Sequence, residues 1–160
     1  MTNFLRFCFI FFFLVITGCS MPPKQPNLTP LEIQTLQTRD YEQEKEVVFA
    51  SVTSVFQDLG YTISNADFQT GLIYAESASK SNKALKFLIG VSQVERTKAT
   101  GFVEQLTGRT RVRLNFVLVQ QESSAYGRSD QDDTPLLDAK LYEAAFEKID
   151  NAIFMRVQTQ

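Results

Sequence analysis

The stretch TRVRLNFVLVQQ, residues 110–121, alternates apolar and polar side chains along most of its length. Its apolar positions are Val112, Leu114, Phe116 and Leu118, and between them lie Arg111, Arg113, Asn115 and Val117. Successive side chains of a strand point to opposite faces, so one face is predicted to be buried and the other to meet water at its basic end. A strand with one buried face and one solvent-exposed face is typical of an antiparallel sheet.

Two pairs of strands are predicted around this stretch. Residues 98–107, KATGFVEQLT, precede it and join it at Gly108, while YTISNAD and GLIYAESA are joined through FQTG, residues 68–71. Gly71 is expected to take the positive φ that a tight turn requires. Both connections are short, so each pair is predicted to be an antiparallel hairpin.

Two helices are predicted from apolar residues spaced three and four positions apart. Residues 44–59 carry such residues at 48, 52, 55, 56 and 59, and Gly60 follows where a C-terminal cap belongs. Residues 136–157 carry a stripe of Leu141, Ala145, Ile149 and Ile153, with Tyr142 and Phe146 beside it. Residues 31–42 alternate weakly and predict a first strand, and residues 122–135 predict a polar loop.

These elements predict an α+β fold. An antiparallel sheet of about five strands, in the order β-α-β-β-β-β-α, is expected to be packed by two helices. The eight phenylalanines from Phe49 onward are spread along the chain, and the length suits one domain, placed at residues 31–160.

The N-terminus has the layout of a secretory signal. Arg6 precedes a run of apolar residues at 7–16, which is too short for a membrane-spanning helix of about 20 residues. Small residues Thr17 and Gly18 follow, and then Cys19. Residues 1–18 are therefore predicted to be a signal peptide. An ordinary signal peptide whose cleavage site happens to include a cysteine is the alternative to the attachment of lipid.

The sequence ITGC at residues 16–19 resembles the lipobox of bacterial lipoproteins. The resemblance implies cleavage between Gly18 and Cys19, a diacylglycerol on the Cys19 sulfur and an acyl chain on the new amino terminus. It further implies that Ser20 permits transfer to the periplasmic face of the outer membrane. Residues 19–30 hold four of the five prolines and are predicted to be an extended tether between the lipid and the domain.

A second resemblance rests on the order of the elements and on LGYTISNADFQTGLIYAE, residues 59–76. Over residues 31–157 the chain resembles the helix-grip domains of NlpB/DapX-type lipoproteins, which belong to the outer-membrane barrel-assembly machinery. It also looks like small bacterial lipoproteins with a QTRxY…VFQDLGY signature, here Gln37–Tyr41 and Val55–Tyr61. These resemblances imply a helix-grip-like fold and no catalytic activity.

The sequence RTRVR, residues 109–113, places Arg109, Arg111 and Arg113 on one face of a strand. Three guanidiniums in a row could bind phosphate, lipid headgroups or a partner that carries carboxylates. The alternative is a solvated sheet face on which the arginines pair with Glu76, Glu104 or Glu122.

Residues 79–96, SKSNKALKFLIGVSQVER, combine lysines with an apolar run that includes Phe87 and Leu88. Such a segment on a lipidated protein could lie on the membrane or bind a partner. The alternative is a short helix or crossover that packs its apolar side on the domain.

The composition gives no support to enzymatic chemistry. The chain has no histidine, which removes the commonest general base and metal ligand. The acidic sequence SDQDDTP, residues 129–135, lacks the glycine and distal glutamate of an EF-hand loop. It is instead predicted to start the last helix, with Asp133 or Thr134 as N-cap and Pro135 in the first turn. No metal and no cofactor beyond the lipid on Cys19 is expected. With 16 basic and 18 acidic residues, no nucleic-acid partner is expected either.

The sequence therefore predicts a non-enzymatic, lipid-anchored interaction module of a bacterial envelope complex. The alternative is a carrier or sensor that holds an apolar ligand between sheet and long helix. The interaction module is favoured because the positions expected to face the core are large, namely Phe116, Phe146, Ile149 and Phe154. The predicted partner site combines Phe87 and Leu88 with Arg109, Arg111 and Arg113.

Overall fold

The computed structural model describes residues 28–81, 91–124 and 129–158 of the chain. In chain order the elements are α1 Pro30–Gln37, β1 Thr38–Tyr41, α2 Lys45–Asp58, β2 Tyr61–Asp67, β3 Leu72–Ser77, β4 Lys80–Ser81, β5 Val91–Leu106, β6 Arg109–Ser124, β7 Ser129–Pro135 and α3 Ala139–Gln158. The described residues thus form three helices and a seven-stranded sheet. The predicted α+β class with an antiparallel sheet is confirmed, whereas five strands and two helices were too few.

The sheet is antiparallel throughout and has the order β1-β6-β5-β3-β2. The short β4 pairs with β5 beyond the end of β3. On its other side, β6 pairs first with β1 and further along with β7. The long β5–β6 hairpin therefore forms the centre of the sheet.

Strand β6 directs its apolar residues towards the helices. Val112, Leu114 and Phe116 are fully buried in the core, which confirms this part of the prediction. Leu118 is only half-buried, and its neighbour Val119 is buried instead. Val119 has the opposite parity and lies outside the core cluster, because on this strand the core ends at Phe116.

Helix α2 follows the predicted pattern. Val48, Val52, Val55 and Phe56 are buried against the sheet. Gly60 has a φ of 84°, and its backbone N–H donates to the carbonyl oxygen of Gln57 at 2.9 Å. This left-handed residue ends the helix and turns the chain into β2, as a glycine after a C-cap commonly does.

The β2–β3 turn depends on Asp67 and Gly71. The carboxylate of Asp67 accepts hydrogen bonds from the backbone of Gln69 and the hydroxyl of Thr70, each at 2.9 Å, and these bonds lower the pKa of Asp67. Gly71 has a φ of 79°, as predicted, and a Cβ at this position would overlap the carbonyl oxygen of Val103 on β5. The turn therefore needs glycine both for its conformation and for its close approach to β5.

The prediction of a strand over residues 31–42 is wrong for most of its length. Residues 30–37 form α1, and only Thr38–Tyr41 is extended. The cause is local, because the Thr29 side chain accepts a hydrogen bond from the backbone of Glu32 while the Glu32 carboxylate accepts one from the backbone of Thr29. This capping box, followed by Pro30 in the first turn, starts a helix in spite of its weak apolar pattern.

The predictions for residues 122–138 are also corrected. Ser129–Pro135 forms β7, paired with β6, and is neither a loop nor the start of a helix, so Asp133, Thr134 and Pro135 do not cap α3. The helix begins at Ala139, later than the predicted residue 136. Its N-terminus is formed by Asp138, whose carboxylate accepts a hydrogen bond from the backbone of Lys140 at 2.9 Å.

Helix α3 lies beside α2 on the same face of the sheet. Its buried residues are Tyr142, Ala145, Phe146, Ile149 and Ile153, which agrees with the predicted stripe apart from the half-buried Leu141. Phe154 is 60% exposed, so its assignment to the core was wrong. The opposite face of the sheet, which we call the open face, carries the polar side chains that alternate with the core residues.

Candidate functional site

The candidate site lies on the open face where β1 joins the β5–β6 hairpin. Arg109, Arg111 and Arg113, which we call the basic row, alternate with buried Thr110 and Val112 on β6. Asp40 of β1 lies directly opposite Arg111, and Glu104 of β5 lies opposite Arg111 on the other side. The strand pairing therefore brings three cations and two carboxylates to one end of a rigid sheet.

Asp40 binds two members of the basic row. Its Oδ1 accepts a hydrogen bond from Nε of Arg111 at 2.7 Å, and its Oδ2 accepts one from Nη2 of the same guanidinium at 2.9 Å. Nε of Arg109 lies 3.1 Å from the same Oδ2. The hydrogen bonds from Arg111 lower the pKa of Asp40, with smaller contributions from the charges of Arg111 and Arg109.

The effect on Arg111 is reciprocal. Its hydrogen bonds to Asp40 raise its pKa, and the charge of Glu104 adds to this effect. The pairing is bidentate, which orients the planar guanidinium and holds it along the sheet. Arg111 is therefore a positioned, partly neutralised cation.

Arg113 differs from the other two arginines. It is exposed and lies between Thr38 on β1 and Phe102 on β5. Among the described residues, no carboxylate lies within 4.0 Å of its guanidinium. Of the three guanidiniums, this one keeps its full donor capacity for a ligand outside the chain.

The predicted ion-pair partners of the basic row are only partly right. Glu104 lies across from Arg111, but among the described residues no ion pair within 4.0 Å joins them. Glu76 and Glu122 lie opposite other positions, namely Lys98 and Gln93. The bound carboxylate is Asp40, which sequence reasoning missed. Asp40 reaches the basic row only because β1 pairs with β6. The two residues in contact, Asp40 and Arg111, are 71 positions apart, so no local sequence pattern reveals the pair.

The other predicted site residues lie outside the described residues. These are Gly18 and Cys19 in the sequence ITGC and Phe87 and Leu88 in the segment 79–96. The two ends of that segment are described, and they form a short antiparallel pair in which Lys80 lies opposite Glu95. Phe87 and Leu88 thus remain predictions from the sequence.

A second charged cluster lies on the helix side of β1. Arg39 binds the carboxylate of Asp150 on α3 at 2.9 Å, and its guanidinium lies 4.7 Å above the ring of Phe146. Beside them is the buried Tyr41, whose pKa is raised first by burial and then by the charge of Asp150. These contacts attach β1 to α3, so this cluster is structural and holds Asp40 in place on the other face.

The described residues contain no group of three or more side chains that could hold a metal ion. Within residues 28–81, 91–124 and 129–158, no helix combines the length and apolar character needed to cross a bilayer. Comparison with protein-family models and with curated proteins finds no match for this chain.

Proposed function

We propose that this protein is a lipid-anchored, non-enzymatic interaction module of a bacterial envelope complex, and that it binds its protein partner through the basic row. The observation that carries the proposal is the exposed Arg113 beside two arginines that Asp40 holds in place. A fixed row of donors on a rigid sheet suits recognition of carboxylates on a folded partner. In this proposal the mature chain lies at the periplasmic face of the outer membrane.

The anchor rests on the sequence ITGC alone, since Cys19 lies outside the described residues. Lipid on Cys19 would hold the domain near the membrane through a tether that ends where α1 begins at Pro30. Mass spectrometry of the purified protein should show loss of residues 1–18 and added acyl mass. An unmodified mature chain would contradict the anchor.

The alternative function, a carrier of an apolar ligand, needs space between the sheet and the helices. Phe116 lies at the centre of that interface, with its ring centroid 5.3 Å from Tyr142 and 6.2 Å from Phe56. At Gly101 on β5, a Cβ would already lie 3.2 Å from Val52 of α2. Close packing of this kind favours the interaction module over the carrier.

The experiment compares partner capture by matched variants. The full chain is crosslinked in intact envelopes, purified, and its crosslinked partners are quantified by mass spectrometry. Arg113→Glu is expected to lower the yield of one defined partner about tenfold, the loss of a charge-assisted contact. Lys148→Glu makes the same charge reversal at an exposed position on α3 and is expected to leave the yield unchanged.

Arg113→Glu is preferred to Arg111→Glu because Arg111 also binds Asp40, so its loss would disturb the pairing of β1. If both variants capture the partner as well as the unmodified chain does, the basic row is not the contact. If native mass spectrometry finds a lipid bound inside the domain and no partner is captured, the carrier function replaces ours.

A further inference from the structure

The edges of the sheet differ in how they are protected from further pairing. Natural proteins place charges, prolines or bulges on exposed edge strands, because an unpaired backbone there can accept another strand. Strand β7 carries Asp130, Asp132, Asp133 and Pro135, β4 carries Lys80, and β1 carries Arg39 and Asp40. In β2, by contrast, residues 62–66 have no charge and no proline, and the one such feature that they carry is the β-bulge between Ile63 and Asn65.

Within the part of the chain that the structure describes, strand β2 is unpaired on one side. It ends the sheet order, and in the described residues its only strand partner is β3. Thr62, Ser64, Asn65 and Ala66 are all exposed. An edge strand directs alternate backbone N–H and C=O groups outward, so β2 presents hydrogen-bonding groups that an extended chain could satisfy.

Exposed aromatic residues lie on both sides of this edge. On the helix side, Phe68 is 44% exposed and packs edge-on against Phe49 of α2, with ring centroids 5.5 Å apart. On the open face, Tyr74 is 42% exposed and lies directly opposite Asn65. A strand added to β2 would place alternate side chains against these two rings, which sets a preference for apolar residues at those positions.

The charges near β2 are unevenly placed. At its beginning, Glu76 lies directly opposite Thr62, and Asp58 ends α2 three positions before Tyr61. Lys98 lies on the other side of Glu76, on β5, and its Nζ is 3.9 Å from the carboxylate of Asp133, so the acidic groups are the charges nearest the free edge. At its other end, hydrogen bonds from Thr70 and Gln69 lower the pKa of Asp67, and the positive charge of Lys45 adds to this effect. An occupant that matches this field carries a basic residue next to Thr62.

We propose that β2 accepts an extended segment of a partner protein as an added strand, with apolar residues at alternate positions and a basic residue at the end next to Thr62. The proposal rests on the function proposed above and adds a second contact to the basic row. A second copy of this chain is a poorer occupant. The β-bulge between Ile63 and Asn65 lies at the middle of β2, so a two-fold pair would bring two bulges together at its centre.

The test uses the full chain, purified in detergent, and a display library of random peptides of about twelve residues. Selected peptides are sequenced, and the backbone amides that they protect are located by hydrogen exchange. We expect alternating apolar residues, a terminal Lys or Arg, and protection within Tyr61–Asp67. Ala66→Lys is expected to weaken binding about tenfold, because a lysine on an edge strand disfavours the pairing of another strand. Asn65→Lys is the second variant if Ala66→Lys is unstable.

Gln131→Lys is the matched control, since it places the same charge on the exposed and already charged β7. It is expected to leave binding unchanged. The proposal is overturned if no peptide is selected, if the selected peptides lack the alternation, or if they protect other strands. It is equally overturned if β2 becomes protected when the chain alone is concentrated and dimerises. Peptides that bind β6 and depend on Arg113 would refute this inference and leave the proposed function intact.

Discussion

Truncation of two leucines on β6 tests which part of this strand belongs to the hydrophobic core. Leu114 and Leu118 have the same parity on the same strand, yet Leu114 is fully buried in the core and Leu118 is only half-buried beyond its end. Directly opposite Leu114 on β5 is Gly101, which has no side chain that could move into the space left by a truncation. Leu114→Ala therefore leaves a cavity that cannot collapse easily.

The expected magnitude follows from that geometry. A fully buried Leu→Ala change lowers the free energy of unfolding by about 2.7–5.0 kcal/mol, and the missing neighbour places Leu114 at about 3–5 kcal/mol. Leu118→Ala removes a half-exposed side chain and should cost about 1 kcal/mol. With a urea m-value of about 1.5 kcal/mol/M, the midpoint of unfolding should fall by about 2 M or more for Leu114→Ala and by under about 1 M for Leu118→Ala.

The assay is equilibrium urea unfolding of the purified chain, with an unchanged m-value as the control for two-state behaviour. Equal losses for the two variants, or a larger loss for Leu118→Ala, would refute the assignment of the core to the first half of β6.

Three other predictions concern the turns, a helix cap and pH. Gly108→Ala should lower the free energy of unfolding by about 1–2 kcal/mol, because alanine is strained at the positive φ of this position. Gly71→Ala should lower it by about 1–3 kcal/mol more, because the added Cβ also overlaps the backbone of β5. Equal losses in urea unfolding would contradict this overlap. Asp138→Ala should cost about 0.5–2 kcal/mol by removing the N-cap of α3, and an unchanged unfolding midpoint would argue against that cap. Asp40 has a lowered pKa when folded, so its contribution to stability is present above its ordinary pKa of 3.8 and is lost as the pH falls through the lower folded value. Acidification from about pH 5 to pH 2 should therefore destabilise the unmodified chain more than Asp40→Asn, and parallel pH profiles would contradict this.

The sequence was most informative where structure is set locally. Gly60 and Gly71 lie at turns that need a positive φ, and the spacing of Val52, Val55 and Phe56 predicts the buried face of α2. These features depend on a few adjacent residues, so a single sequence reveals them.

The failures have two different causes. Helix α1 was missed because its capping box at Thr29 and Glu32, rather than its apolar pattern, determines its start. Strand β7 is polar, acidic and ends in proline, and only its pairing with β6 makes it extended. Intrinsic strand preference is weak enough for such tertiary pairing to override it.

The candidate site was foreseen in part. The alternation of arginines in β6 predicts that they share a face, whereas the pairing of Asp40 with two of them depends on the register of β1 against β6. That register also determines which guanidinium of the row has no carboxylate within 4.0 Å among the described residues. The difference between the exposed Arg113 and the ion-paired Arg111 could therefore be recognised only in the folded structure.

The central claim, that the exposed end of the basic row is covered by a partner in the envelope, is tested most directly by site-resolved labelling of cysteines. Glu104 is exposed and lies directly opposite Arg111, so a cysteine at this position reports coverage of the basic row and leaves all three arginines in place. Glu104→Cys and Lys148→Cys are labelled with a maleimide in intact envelopes and in the purified chain, and each labelled peptide is quantified by mass spectrometry. We predict that the cysteine at 104 reacts readily in the purified chain and is protected in envelopes, whereas the cysteine at 148 reacts equally in both. Equal reactivity at 104 in envelopes and in the purified chain would contradict the claim.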